Sequence, residues 1–279
     1  MDGHTDALMF DTGELFSQVN RLKMCGKVLS NNFLQKSVIE QFSVEEKSML
    51  AYNQDAIALI CCENGIARLY FYISCLEKAA ALRDLLRKAE EYPVVVADCV
   101  GQENCVNGMA EAFCKNGFSL YARLTRWRSG KICLPTAPML NGVCVQAAVL
   151  DQTEEILAFL YRIFDPYESK LPNREQMADL IGQKLVFCAV ENGRVIGVVC
   201  LQKTGRTGVY IYQVAVSNEH RSAGVGSALL QFALRPFNRF STFTSWIKDG
   251  NEASRRLHQA LGMQPDGLVD AVLLYRAQT

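Results

Sequence analysis

The sequence predicts an α/β (α+β) protein, in which a mixed sheet flanked by helices is repeated in two tandem domains of almost equal length. Three observations support this prediction. Apolar runs of strand length alternate with runs of helical periodicity. The same Glu-Asn-Gly turn separates two strand-like runs at residues 63–65 and again at residues 191–193. The chain also has 279 residues, more than a typical domain of about 100–200 residues.

The second half shows the clearer pattern of elements. A predicted strand at 143–150 is followed by Asp151, which has the chemistry of a helix N-cap, and by an apolar helical face that ends before Pro166. The pattern then predicts helices at 173–184, 226–235 and 252–261, and strands at 185–191, 194–203, 208–216, 242–247 and 269–276. This order, β-α-α-β-β-β-α-β-α-β, is typical of a mixed sheet with helices packed on it.

The first half repeats this order less clearly. Helical patterns fill residues 12–52, and further elements are predicted as strands at 56–62, 66–73, 93–99 and 119–127 and helices at 76–91 and 104–115. A divergent internal duplication would explain the repeat. Two prolines and two glycines between Ser129 and Gly142 interrupt regular structure. We therefore place a boundary near residue 140, between a domain at 1–140 and a domain at 141–279.

Composition excludes several classes of function. The 29 basic residues balance the 29 acidic ones, so no overall charge favours nucleic acid. The acidic N-terminus lacks a secretory leader, and no uncharged apolar run approaches the ~20 residues that span a bilayer. The eleven cysteines show no CxxC spacing, which predicts free, buried thiols and no metal site. We expect a cytoplasmic protein without nucleic-acid or membrane partners; its oligomeric state stays open.

The strongest local signal is the segment that joins the strand at 208–216 to the helix at 226–235. It contains Arg221, Gly224 and Gly226 in the pattern Arg-x-x-Gly-x-Gly. Glycines allow close backbone approach, and the free N–H groups of a helix N-terminus bind anions such as phosphate. The pattern lacks the Lys of a nucleotide P-loop and the third glycine of a dinucleotide fingerprint. The alternative is a strand-to-helix turn that requires two glycines and binds nothing.

Residues 143–276 resemble the GNAT superfamily of N-acetyltransferases. The resemblance depends on the Arg-x-x-Gly-x-Gly turn between strand and helix, and on the later segment from Asn251 to Met263 before the last strand. It implies acetyl-CoA, or a related acyl-CoA, as cosubstrate and no metal. It also implies a set of CoA-binding residues: Val214, Ala215 and Val216 along the pantetheine arm, Arg221, Ser222, Ala223, Gly224, Val225, Gly226 and Ser227 at the pyrophosphate, and Asn251 and Ser254 beside the arm.

Family members commonly carry a tyrosine at the position of His258, as proton donor to the leaving thiolate. The resemblance therefore implies His258 as a general acid, and an ordinary histidine pKa leaves a charged fraction at neutral pH. A packed or surface histidine is the alternative. Many family members also carry a carboxylate base on the strand at 208–216, and this strand has none. The base stays unknown: a water chain, Glu168, Asp165 or no group at all.

The acceptor side is less defined by the sequence. Asp165, Tyr167 and Glu168 lie where the family builds part of its acceptor pocket, and a solvated loop explains them equally well. Tyr210, Tyr212 and Gln213 would shape the pocket or form hydrogen bonds to the acceptor. The first half has no glycine-rich pyrophosphate turn, so we expect it not to bind CoA in the same way and to pack on the second half.

The sequence thus predicts direct transfer of an acetyl group from acetyl-CoA to a small-molecule or peptide amine. The alternative is a non-catalytic acyl-CoA-binding or scaffold protein that kept the fold and lost the acid-base pair.

Overall fold

The computed structural model describes residues 10–31, 34, 36–43, 48–87, 92–134, 140–240 and 242–277. These residues divide into two compact units. The first contains the described residues up to Arg123 together with those from Val269 onward, and the second contains Leu124–Leu268. Pro135 and Pro138 lie outside the described residues, so the boundary near residue 140 stays a prediction.

The first unit begins with elements that the sequence did not separate. They are α1 (Thr12–Met24), β1 (Leu29–Ser30), α2 (Lys36–Ser43) and β2 (Met49–Tyr52). The helical prediction across 12–52 was wrong for the two short strands. Tertiary pairing overrides helical periodicity there, because β1 pairs with the later strand at residues 66–73 and β2 with the strand at residues 56–63.

The remainder of this unit follows the predicted order. Its elements are β3 (Ala56–Glu63), β4 (Ile66–Ile73), α3 (Ala79–Leu86), β5 (Val94–Gln102), α4 (Glu103–Cys114) and the beginning of β6 (Phe118–Ser129). β2, β3 and β4 are antiparallel neighbours, and β4 pairs with β5 in parallel. Alternate residues of β3 face opposite layers: Ile57 and Leu59 pack with α1 and α2, whereas Ala58 and Ile60 pack with α3 and α4.

The second unit contains the corresponding elements of the second half. They are β7 (Val143–Ala147), α5 (Thr153–Ile163), α6 (Arg174–Gly182), β8 (Val186–Glu191), β9 (Arg194–Thr204), β10 (Gly208–Val216), α7 (Val225–Leu234), β11 (Thr242–Lys248), α8 (Glu252–Ala260) and the beginning of β12 (Gln264–Arg276). β7 to β10 are consecutive antiparallel strands. β10 pairs with β11 in parallel, and β11 pairs with Leu124–Ser129 of β6.

The two units therefore share the order strand-strand-strand-helix-strand-helix-strand, from β2 to β6 and from β8 to β12. The units are not simple consecutive pieces of the chain, because β6 continues from the first unit into the second and β12 continues from the second into the first. The mixed α/β class with helices flanking the sheet is confirmed. Among the described residues, no helix is long and apolar enough to cross a membrane.

The parallel strands of the first unit separate early, and Asn31 fills the space between them. β4 and β5 pair only at Ala67–Val95 and Arg68–Val96. Beyond this point the Asn31 amide nitrogen donates to Leu69 O at 2.9 Å and to Asp98 O at 3.0 Å, and its oxygen accepts from Phe71 N at 2.8 Å. One buried side chain thus satisfies backbone groups of both strands.

Replacing Asn31 by Ala should lower the free energy of unfolding by roughly 2–4 kcal/mol, because it leaves two buried backbone groups and one partly buried group without their partner. Urea unfolding of the full chain measures this loss. The exposed Asn238→Ala is the matched control and should change stability by less than about 0.5 kcal/mol. Equal effects of the two variants would contradict the role of Asn31.

Candidate functional site

A cavity of about 880 Å³ lies in the second unit where β10 separates from β11. The parallel pairing of these strands covers only Gly208–Tyr210 and Thr242–Thr244. A β-bulge between Ile211 and Gln213 then changes the register of β10 against β9. Most lining residues come from β10, the turn that follows it, α7, β11, α8 and the connection between α5 and α6, and β6 and the end of α5 contribute one residue each. The cavity therefore opens at the carboxyl end of a parallel strand pair, a frequent position for ligand sites.

The turn from β10 into α7 has the backbone geometry of an anion site. Gly224 is the N-cap residue of α7 in a left-handed conformation (φ 87°), and Ser222 also has a positive φ of 66°. No side chain among the described residues caps this helix. The first N–H groups of α7 and the positive end of its dipole are consequently available to a ligand beside Arg221.

A network that the sequence did not reveal holds this turn. Ser217 Oγ lies 2.7 Å from His220 Nδ1, and His220 Nε2 lies 3.0 Å from Glu191 Oε2 at the end of β8. The network ties the turn to the β8–β9 hairpin. Sequence spacing shows the Ser217–His220 neighbourhood but not the contact with Glu191, which is 29 residues away along the chain.

His258 on α8 is buried, with 1% of its surface exposed. Its Nδ1 lies 2.8 Å from Ser254 O and 3.3 Å from Ser254 Oγ. Asn251 begins this helix, since its side chain accepts from Ser254 N at 3.1 Å. Burial lowers the pKa of His258, and the hydrogen bond to the Ser254 carbonyl opposes that shift without cancelling it. His258 lines the cavity, and its Nε2 has no hydrogen-bond partner among the described residues.

Gln213 on β10 is the second buried polar residue of the cavity wall, with 4% of its surface exposed. Its Nε2 donates to Lys170 O at 3.2 Å, and its Oε1 has no partner within the part of the chain that is described. Buried polar atoms without partners are rare in proteins. Gln213 and His258 both line this cavity, so a ligand with hydrogen-bond donors could supply partners to both atoms.

The connection between α5 and α6 supplies carboxylates to the same cavity. Asp165 Oδ1 accepts from Tyr167 N at 2.8 Å, which forms an Asx turn. Glu168 forms an ion pair with Lys248 at the end of β11, and both residues line the cavity. The sequence prediction for Glu168 did not include its pairing with Lys248, because the two residues are 80 positions apart.

The structure brings most of the predicted site residues to this one cavity. Those that line it are Val214, Ala215, Val216, Arg221, Ser222, Gly224, Val225, Gly226, Ser227, Asn251, Ser254, His258, Asp165, Glu168, Tyr212 and Gln213. Ala223, Tyr167 and Tyr210 are not among the lining residues, and the ring of Tyr210 lies 5.6 Å from that of Tyr212. The roles assigned from the sequence stay predictions.

The cysteines are chemically separate from the cavity lining. All eleven are free; Cys61, Cys99, Cys188 and Cys200 are buried, and burial raises the pKa of Cys188 to about 12. Five are exposed, so the prediction of buried thiols was wrong for Cys25, Cys105, Cys114, Cys133 and Cys144. No group of metal-ligating side chains is found among the described residues.

Residues 151–263 match the model of the Acetyltransferase (GNAT) family. The structure also resembles a GCN5-related N-acetyltransferase from Sphaerobacter thermophilus, with a TM-score of 0.59 and 14% identity over 88% of this chain and 86% of the other. The structure also resembles a tandem GNAT protein from the clavulanic acid biosynthesis pathway, with a TM-score of 0.55 and 14% identity over 81% of this chain and 80% of the other. For a GCN5-related N-acetyltransferase from Kribbella flavida, the TM-score is 0.55 and the identity is 15%, over 87% of this chain and 94% of the other.

No curated protein matches the chain in sequence. At these low identities the structural similarities show the fold. Together with the family model they confirm the resemblance stated from the sequence: the second half contains a GNAT-family domain, and the chain as a whole has a tandem GNAT-like fold.

The position of α7 depends on the absence of a side chain at Gly197 of β9. A Cβ atom there would lie 2.8 Å from Leu229 Cδ1, 3.2 Å from Val225 Cγ1 and 3.2 Å from the backbone oxygen of Ala215. Gly197→Ala should therefore lower the free energy of unfolding by about 1–3 kcal/mol, as measured by urea denaturation.

Gly182→Ala is the matched control, because Gly182 ends α6 with nothing within 4 Å of its added Cβ. We expect it to leave stability unchanged or to raise it by up to about 1 kcal/mol. Unchanged stability of Gly197→Ala would contradict the close packing of α7 on the sheet.

Proposed function

We propose that this chain, whose residues 151–263 form a GNAT-family domain, is an N-acetyltransferase that moves an acetyl group directly from acetyl-CoA to an amine. The observation that supports the proposal most is the coincidence of an uncapped helix N-terminus, diverging parallel strands and unpartnered buried acceptors on one cavity. Direct transfer needs no nucleophile from the protein. The protein has to position the reactants and to move protons.

The turn around Gly224 fits the pyrophosphate of CoA. The N–H groups that begin α7 have no side-chain cap among the described residues, and Arg221 and Ser222 line the cavity beside them. Phosphate oxygens accept hydrogen bonds from such groups, and the helix dipole favours their negative charge. Arg221 adds a guanidinium cation, whose planar fork of donors matches phosphate oxygens.

The edge of β10 fits the pantetheine arm. Val214, Ala215 and Val216 line the cavity beyond the last residue pair that β10 forms with β11. An extended amide-containing chain can pair with such an edge as an added strand. Asn251 and Ser254, at the start of α8, line the same cavity and would flank the arm.

The acceptor would enter from the side of Asp165 and Glu168. Their carboxylates favour a cationic amine, and the pairing of Glu168 with Lys248 limits that attraction. We propose a small-molecule or peptide amine as acceptor. We also propose that the protein acts in the cytoplasm, where its eleven free thiols would stay reduced.

A second candidate is a protein that binds acyl-CoA without turnover. The absence of any carboxylate in the sequence of β10 favours it, because many family members keep their base there. Release of free thiol from acetyl-CoA, measured with a panel of alkylamines, arylamines and peptide amines, separates the two candidates. Amine-dependent release supports the transferase. CoA binding in calorimetry without release on any amine supports the second candidate.

Gly224→Asp should weaken CoA binding by about 10- to 100-fold, because it places a carboxylate where the phosphates would lie. Calorimetric titration with CoA measures the effect. Gly205→Asp is the matched control: Gly205 also has a positive φ, of 61°, but lies in the exposed β9–β10 turn with nothing near its added Cβ. Both variants should lose about 1 kcal/mol of stability from backbone strain. Equal CoA affinity of the two variants would exclude the Gly224 turn as the phosphate site.

A further inference from the structure

Two residues that line the cavity each have a buried acceptor atom without a partner among the described residues, and these two atoms differ in chemistry. Gln213 Oε1 is an amide oxygen that accepts hydrogen bonds and does not take up a proton at ordinary pH. His258 Nε2 belongs to a ring that can hold a proton and release it. Both atoms are buried, and both residues line the cavity. The structure thus offers one fixed acceptor and one titratable acceptor on the same cavity.

The hydrogen bonds of His258 determine which of its nitrogens carries hydrogen. The Ser254 carbonyl, 2.8 Å from Nδ1, can only accept. Nδ1 must therefore be the protonated nitrogen, and the neutral ring presents a lone pair at Nε2. Burial lowers the pKa of His258, so the neutral ring is the resting form at pH 7. A resting neutral ring with a bare Nε2 can take a proton before it can give one.

We propose, on the basis of the acetyl transfer proposed above, that His258 is a proton shuttle whose Nε2 takes a proton from the acceptor amine and delivers it to the leaving sulfur of CoA. His258 is then the general base that the sequence left unassigned, and the general acid as well.

The step balances in atoms and charge. The amine nitrogen forms a bond to the thioester carbonyl carbon, and one amine proton passes to His258 Nε2. The carbon–sulfur bond breaks, and its electron pair stays on sulfur. The imidazolium then returns the proton from Nε2 to that sulfur, which leaves an amide, a free CoA thiol and a neutral His258. No oxidant, metal or protein nucleophile enters the step.

Other groups on the cavity are less suited to this role. β10 contributes no carboxylate, Glu168 is held in an ion pair with Lys248, and Asp165 accepts from Tyr167 N in its Asx turn. Gln213 would orient the amine instead. Its Nε2 donates to Lys170 O, which holds the side chain in place. Its Oε1 would accept the second N–H of the amine and so direct the amine lone pair. Gln213 is in this sense a positioning residue for the acceptor.

The pH dependence follows from the neutral resting form. If the shuttle operates, kcat/KM should rise with pH through the pKa of His258, below its ordinary value near 6.5, and then stay level. A histidine that acts only as an acid predicts the opposite, a fall above the same pKa. The other charged or titratable side chains on the cavity are Asp165, Glu168, Tyr212, His220, Arg221, Lys248 and Arg256. An electron-poor arylamine acceptor, which stays unprotonated throughout this pH range, removes the ionisation of the substrate from the profile.

Two substitutions of His258 test the shuttle in the full chain. His258→Gln keeps a polar side chain but cannot carry a proton, and His258→Tyr supplies a donor that cannot accept a proton at pH 7. Both variants should have a kcat lower by about 100-fold or more and a CoA affinity within threefold of the wild type. In both, the rise of kcat/KM with pH through the pKa of His258 (the acidic limb of the profile) should disappear. His220→Gln, on the same cavity, should keep the acidic limb whatever its effect on CoA affinity. A His258→Tyr enzyme at the wild-type rate would overturn the shuttle and leave acetyl transfer intact, whereas a wild type that releases no thiol would overturn the proposed function itself.

A measurement independent of turnover checks the tautomer. The chain has only three histidines, so long-range ¹H–¹⁵N correlation spectra of the wild type and His258→Gln assign the ring of His258. We expect a neutral ring protonated at Nδ1 at pH 7. An imidazolium at pH 7, or a proton on Nε2 of the neutral ring, would overturn the shuttle even in an active transferase.

Discussion

The divergence of β10 from β11 is the constraint on which the second unit depends. Parallel pairing stops after Tyr210 and Thr244, and the hydroxyl of Ser245 then donates to Ile211 O at 3.1 Å, which satisfies a carbonyl that the ladder no longer reaches. The bulge between Ile211 and Gln213 redirects β10. Everything that lines the cavity is arranged around this opening, including the turn into α7, the start of α8 and the Glu168–Lys248 pair.

The first unit also contains a parallel strand pair that separates early, but there the backbone groups of the two strands are satisfied by a side chain. β4 and β5 also stop pairing early, but Asn31 satisfies backbone groups of both strands, and β1 pairs with the end of β4. In the second unit the corresponding space is an open cavity. The filled opening in the first unit agrees with the lack of a glycine-rich turn after β4 in the sequence.

The parts of the site that the sequence predicted are those with local causes. The Gly224 turn needs left-handed backbone, and that requirement is visible within a few residues. Burial and pairing at long range were not predictable. The helical pattern of residues 12–52 did not show that β1 and β2 would find strand partners, and nothing near Glu168 or His220 indicated Lys248 or Glu191. The position of His258 was recognised from the sequence, but its burial, which determines its protonation, was not.

Burial has two effects on His258, and both suit the proposed transfer in a chain whose β10 has no carboxylate. It lowers the pKa, so the ring rests neutral and ready to accept. It also makes the imidazolium that forms a stronger acid than a histidine in water. A free thiol has a pKa near 8.5, well above that of such an imidazolium, so return of the proton to the leaving sulfur is downhill. A tyrosine in this place, with a pKa near 10, can donate but cannot begin the cycle by accepting. In the proposed shuttle, one buried imidazole would therefore take the place of two groups, a base and an acid, in a chain whose β10 has no carboxylate.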